Sequence, residues 1–211
     1  MRAQIVLFNG FDPLDAIAPY EVLLAGGMVS DESVEVELVS AEGARVVPSG
    51  LGPLSLHASG QLRPGHADLI VLPGAIGRLT EEAGSADHSI PAILRRTLET
   101  DLPALLKEAL DRPGLTVATV CGGSMVLAMA GLIEGRPATS HHLGLDVLQA
   151  TATLPIDARI VDDGNLVSSG SVTSGLDLGL YLLERELGPR VALAVERLIG
   201  HERRGTVWRD T

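Results

Sequence analysis

At 211 residues, 45% hydrophobic and 20% charged, the chain has the make-up of a globular protein forming one domain over residues 1–211. A formal net charge of −11 and the lack of any basic patch argue against nucleic acid or a membrane surface as a partner. The lone cysteine, Cys121, rules out an internal disulfide, and the first apolar run is too short for a signal-peptide core, so a cytoplasmic location is expected.

Gln4 to Phe8 is a continuous apolar run, as in a central parallel strand. Asn9-Gly10-Phe11-Asp12-Pro13 breaks it, and Leu14 to Leu24 reads as a helix with Asp15 near its start and Glu21 further along. Val34 to Ser40 alternates like a half-exposed strand, and Pro48, Gly50, Gly52 and Pro53 mark turns before a short strand near Leu54 to His57. Asp68 to Leu72 is a second buried strand, ended by Pro73-Gly74-Ala75-Ile76-Gly77. The N–H groups of that turn either form an oxyanion hole or belong to a plain turn. Ile90 to Leu110 has helical spacing, with Pro103 implying two helices or a kink.

The stretch Leu115 to Gly135 reads as strand, tight glycine turn and buried helix, with Cys121 at the bend and Gly135 able to close the helix. A residue at such a bend projects above the sheet edge, as the nucleophile of a hydrolase elbow does. The helix that follows would favour a thiolate through its free N–H groups and dipole. From these residues alone Cys121 is either that nucleophile or a small buried hydrophobe.

Beyond the bend, His141-His142 precede a helix from Gly144 to Gln149, and Ile156 to Val161 reads as a strand. Asp163-Gly164 is a hairpin signal joining that strand to Leu166–Ser168. A helix containing Asp177, a last helix from Pro189 to Ile199 and a charged tail with the only tryptophan complete the chain. Strands alternating with helices predict an α/β fold, a doubly wound, mainly parallel sheet sandwiched by helices in the flavodoxin manner. His57, His66, His88 and His201 show no metal-ligand spacing, and Glu81-Glu82 reads as a solvated face.

The segments DPLDAIAPYEVL, DLIVLPGA, VATVCGGSMVLAMAGLIEGRPATSHH and SGSVTSGLDLGLYLLE together resemble the ThiJ/PfpI superfamily of class I glutamine-amidotransferase-like proteins. Within it they resemble the branch of isonitrile hydratases and amidase-like regulators. The resemblance implies Cys121 as nucleophile and Asp15 as the acid against its sulfur. It places the N–H groups of Gly74 and Gly122 on bound substrate, and His141 near the site. Glu21 is a possible supporting residue, and Asp177 a structural acceptor. The resemblance further implies no metal or organic cofactor, a small-molecule substrate and a homodimer.

The resulting expectation is a cysteine-dependent hydratase that turns an isonitrile into an N-substituted formamide. Glyoxalase-like or amidase chemistry on the same scaffold, or a sensor of small ligands or oxidants, are the alternatives. Where the isonitrile hydratases carry threonine after the cysteine, this chain has Gly122. Residues Ser85 to Thr100 look like an addition that shapes or covers the entrance. The chain ends near Trp208, without the room a helix-turn-helix extension would need, and this lowers the regulator alternative.

Overall fold

A computed structural model describes residues 1–79 and 88–210. Its strands are β1 (Arg2–Val6), β2 (Glu35–Ser40), β3 (Arg45–Pro48), β4 (Ser55–Ala58), β5 (Gly60–Gln61) and β6 (Leu69–Leu72) in the first half. The second half holds β7 (Thr116–Val120), β8 (Pro137–Ala138), β9 (Leu154–Pro155), β10 (Ile160–Asp163), β11 (Leu166–Ser169) and β12 (Val207–Arg209). The helices are α1 (Pro13–Met28), α2 (Ile90–Thr97), α3 (Leu102–Asp111), α4 (Gly123–Met129), α5 (Leu145–Ala150), α6 (Ser174–Leu187) and α7 (Pro189–Ile199).

Among the described residues, eight strands form one sheet in the order β12-β10-β11-β7-β6-β1-β2-β5. Every neighbouring pair is parallel except β10 and β11. Strands β1, β6 and β7 are apolar because helices cover both faces: α1, α6 and α7 pack together on one side, and α2 and α3 pack against α4 on the other. The mainly parallel, doubly wound sandwich expected from the sequence is thus the observed fold. The chain winds from β1 to β2 in one direction and returns to place β6 on the other side of β1. This reversal opens a crevice at the carboxyl ends of the strands, the usual location of a site in such sheets.

Several expectations need correction. The first strand ends at Val6, and β3, unforeseen among turn residues, pairs with β4 in a separate two-stranded sheet. The helix after Cys121 stops at Met129, well before Gly135, because Gly131 turns left-handed at φ +69°. The strand expected over 156–161 runs from Ile160 to Asp163, and the charged tail supplies β12, which pairs with β10.

Pro103 does divide the long helical pattern, into α2 and α3. The Glu81-Glu82 pair and residues 85–87 of the suggested entrance segment lie outside the described residues. The remainder of that segment is not a detachable cover. Ala92, Ile93, Leu94 and Thr97 of α2 are buried, so removing the helix would open the core.

Candidate active site at the cysteine elbow

Three neighbouring strands each end in a turn that contributes one part of the site. The loop after β1 leads into α1, whose first turn carries Asp15, the turn after β6 carries Gly74, and β7 runs directly into Cys121. The first two turns are laced together: the Asp12 N–H donates to the Gly74 carbonyl at 2.8 Å and the Ile76 N–H to the Gly10 carbonyl at 3.1 Å. Because β6 lies between β1 and β7, Gly74 is brought against both Asp15 Oδ2 and the Gly122 backbone.

Glycine is required in both turns by close backbone approach. A Cβ on Gly74 would sit 2.6 Å from the Gly122 nitrogen and 2.9 Å from Asp15 Oδ2. One on Gly123 would sit 2.2 Å from the Leu72 carbonyl oxygen. Nothing larger fits where the turn after β6 crosses the elbow.

Cys121 itself is left-handed, at φ +54°, a conformation that costs a non-glycine residue about 1–3 kcal/mol. Its peptide groups are clamped in compensation. The Cys121 N–H donates to the Ser169 carbonyl at 3.1 Å, and its carbonyl accepts from the Ser140 hydroxyl at 3.0 Å. Ser140 escaped the sequence reading; it lies within the A-T-S-H block, but only the fold shows that this block packs against the elbow.

The acid is wholly buried. Asp15 is 0% exposed and Cys121 6%, and the carboxyl lies against the sulfur closely enough for each to perturb the titration of the other. Asp15 Oδ2 also accepts from the Gly74 N–H at 2.9 Å, whereas Oδ1 has no partner of good geometry among the described residues. Burial lifts the Asp15 carboxyl well above the ordinary carboxylate range, the charge of Asp12 adds to this, and the Gly74 N–H and Cys121 oppose it. Burial therefore favours the neutral, proton-carrying form of Asp15.

The ionised sulfur expected from the sequence is not what this environment favours. Burial pushes the Cys121 thiol up, the Asp15 and Asp12 charges push it further, and the Gly122 N–H recovers only part. Helix α4, seven residues long, does not offset this. The pair is best described as two adjacent groups whose titrations are coupled.

His141 is half-buried on the segment that Ser140 ties to the elbow, and its Nδ1 accepts from the Leu143 N–H at 3.2 Å. Burial lowers its pKa, and its neighbour His142 lowers it further. A neutral ring would then carry its proton on Nε2. Glu21 is not brought to the sulfur: it is exposed, in a groove between α1 and α7. Asp177 is a structural acceptor, bound by Arg159 Nε at 2.8 Å, His201 Nε2 at 3.0 Å and the Arg204 N–H at 2.9 Å. No cluster of three or more His, Cys, Asp or Glu side chains among the described residues is arranged to hold a metal ion.

A buried cysteine at a left-handed strand-to-helix turn, backed by an acid from the first helix, defines a class of α/β proteins. The chain matches the DJ-1/PfpI family over residues 1–185 and belongs to it. It is similar to isonitrile hydratase of Pseudomonas putida, at 30% identity over 93% of this chain and 76% of that protein. It is also similar to the HTH-type transcriptional regulator CdhR of Pseudomonas aeruginosa, at 27% identity over 90% of this chain but only 52% of the regulator. Deglycases are among its other relatives. Drosophila melanogaster DJ-1beta shares the fold, with a TM-score of 0.77 at 20% identity over 95% of this chain and 98% of that one.

Proposed function

We propose that this protein is an enzyme that adds water to an isonitrile, giving an N-substituted formamide, with Cys121 as nucleophile and Asp15 as general acid and base. The observation that carries this is the Asp15 carboxyl, wholly buried against the Cys121 side chain, with one oxygen held by the Gly74 N–H and the other without a partner of good geometry among the described residues. An isonitrile carbon needs a proton and a nucleophile on the same atom, and this pair offers both.

As the sulfur bonds to the terminal carbon of R–N≡C, Asp15 gives its proton to that carbon and takes the thiol proton, leaving R–N=CH–S–Cys121. Asp15 next protonates the nitrogen and removes a proton from the water that attacks the same carbon. In the last step Asp15 takes the hydroxyl proton and returns one to sulfur while the carbon–sulfur bond breaks. R–NH–CHO leaves and the pair is restored. The Gly74 N–H, expected on substrate, is given instead to Asp15 Oδ2 at 2.9 Å and orients the acid, the Gly122 N–H faces the sulfur, and His141 is a neutral group at the edge of the site. No step calls on a metal or an organic cofactor.

The reading includes a homodimer, supported by exposed Ile17, Met28 and Leu198 along the groove of about 540 Å³ between α1 and α7. A monomer in sedimentation would remove that part. No helix among the described residues is long and apolar enough to cross a membrane, in keeping with a reading that places the enzyme in the cytoplasm.

The purified protein and a Cys121→Ala variant, each given an alkyl isocyanide or methylglyoxal, test the chemistry. Formamide formed by the first and not the second supports it. Lactate from methylglyoxal would instead assign a glyoxalase-like reaction. Silence on both, with ready oxidation of Cys121 to a sulfinic acid, would leave a sensor.

A further inference from the structure

α1 opens on two buried carboxyls, Asp12 at the N-cap and Asp15 in the first turn, and Asp12 has no place in the chemistry above. In a capping box the acid three residues on turns back to the N–H of the cap residue. Here that return bond is replaced. The Asp12 N–H goes to the Gly74 carbonyl at 2.8 Å, and the Asp15 carboxyl takes the Gly74 N–H at 2.9 Å. Gly74 thus stands where the box would have closed, and the Asp15 carboxyl is left for Cys121.

Donors are divided unevenly between the two acids. Asp12 accepts from the Leu14 N–H at 3.0 Å, at the positive end of a 16-residue helix; burial raises its carboxyl too, but the Leu14 and Asp15 N–H groups oppose this, and Asp15 is the acid raised well above the ordinary range. Asp15 has the Gly74 N–H, the thiol as a neighbour and one oxygen without a hydrogen-bond partner among the described residues. Two buried carboxyls a helical turn apart resist ionising together, so the donors decide which one carries the charge.

We propose that Asp12 is a positioning residue that takes the negative charge of this pair of carboxyls and so holds Asp15 as the protonated acid facing Cys121. The proposal deepens the reading of Asp15 as the acid.

The other groups around the pair leave this assignment intact. The elbow presents Cys121 and the Gly122 N–H, and the turn after β6 presents the Gly74 N–H. The segment bearing Ser140 offers His141, whose Nδ1 is engaged by Leu143. Asp177 of α6 is matched by Arg159 and His201. Glu21 of α1, Arg78 and His88 near the turn after β6, and Arg95 and Arg96 of α2 are all exposed.

The infrared carbonyl stretch of a protonated carboxyl, assigned to Asp15 by its loss in Asp15→Asn, reads the proton on that acid directly and without a substrate. Asp12→Asn and Asp12→Ser both keep a side-chain acceptor for the helix and remove the charge. Each should move the pH at which the Asp15 band disappears downward by about one unit, the size of a like-charge effect over one helical turn. A midpoint unmoved in either variant, with the fold intact by circular dichroism, overturns the proposal. Because formamide is not measured, loss of the isonitrile reading would leave this result standing.

Discussion

At the scale of single residues the site is a set of compensated costs. Cys121 holds a left-handed turn, Asp15 gives up water, and Gly74 admits no side chain. Gly74→Ala should be among the most damaging small substitutions. Its methyl group would press on the Gly122 backbone and on Asp15 Oδ2, neither of which can yield without moving the elbow. We expect destabilisation of about 1–3 kcal/mol in denaturant melts, with turnover lost beyond what unfolding explains. Asp15→Asn keeps the shape and an acceptor for the Gly74 N–H but cannot pass a proton. Turnover of an alkyl isocyanide should fall roughly 10²–10⁴-fold with substrate affinity largely kept, and a full-speed variant would remove Asp15 from the mechanism.

At the scale of elements, the cap that starts α1 and the strand that ends the chain show different degrees of legibility. Asp12-Pro13 ahead of an apolar periodic run is a helix-start signature that sequence alone displays. That its N3 acid would turn away from the cap to face a cysteine over a hundred residues later could not be read locally. Strand β12 is the opposite case. Its residues, Val207-Trp208-Arg209, sit in a charged tail and become a strand only because β10 offers an unpaired edge.

The tail is held by side chains as well. Tyr181 donates its hydroxyl to Asp162, and Arg209 Nε donates to the same hydroxyl oxygen at 3.0 Å. Tyr181→Phe should therefore release the tail before anything else. Hydrogen exchange at residues 207–209 should accelerate while β7 stays protected, and unchanged exchange would show that the ladder alone holds β12.

For the whole molecule, the buried acid ties stability to pH. The folded state raises the Asp15 carboxyl well above its ordinary value of 3.8, and the unfolded chain does not. From about pH 4 upward the folded protein thus keeps a proton that the unfolded chain has released. Stability from this group is complete below that range and is lost as pH rises toward the folded value. Asparagine at position 15 has no such dependence. The stability of Asp15→Asn relative to the natural protein should then grow between about pH 4 and pH 8, below the range where an exposed thiol ionises. Melting curves across that interval check it, and a constant difference would mean that Asp15 is not buried as a neutral acid.

The sequence by itself determined the class of fold, the bend at Cys121 and the family, because apolar runs, glycine turns and helix periodicity are local patterns that survive without coordinates. It also carried Asp15 and Gly74 into the site through motif likeness. Only the tertiary structure decided the burial of the Asp15–Cys121 pair, the Asp12 and Ser140 contacts around it, and the exposure of Glu21. Each of these depends on which groups are deprived of water and which N–H or hydroxyl faces them, and burial is a property of the packed chain rather than of any stretch of it.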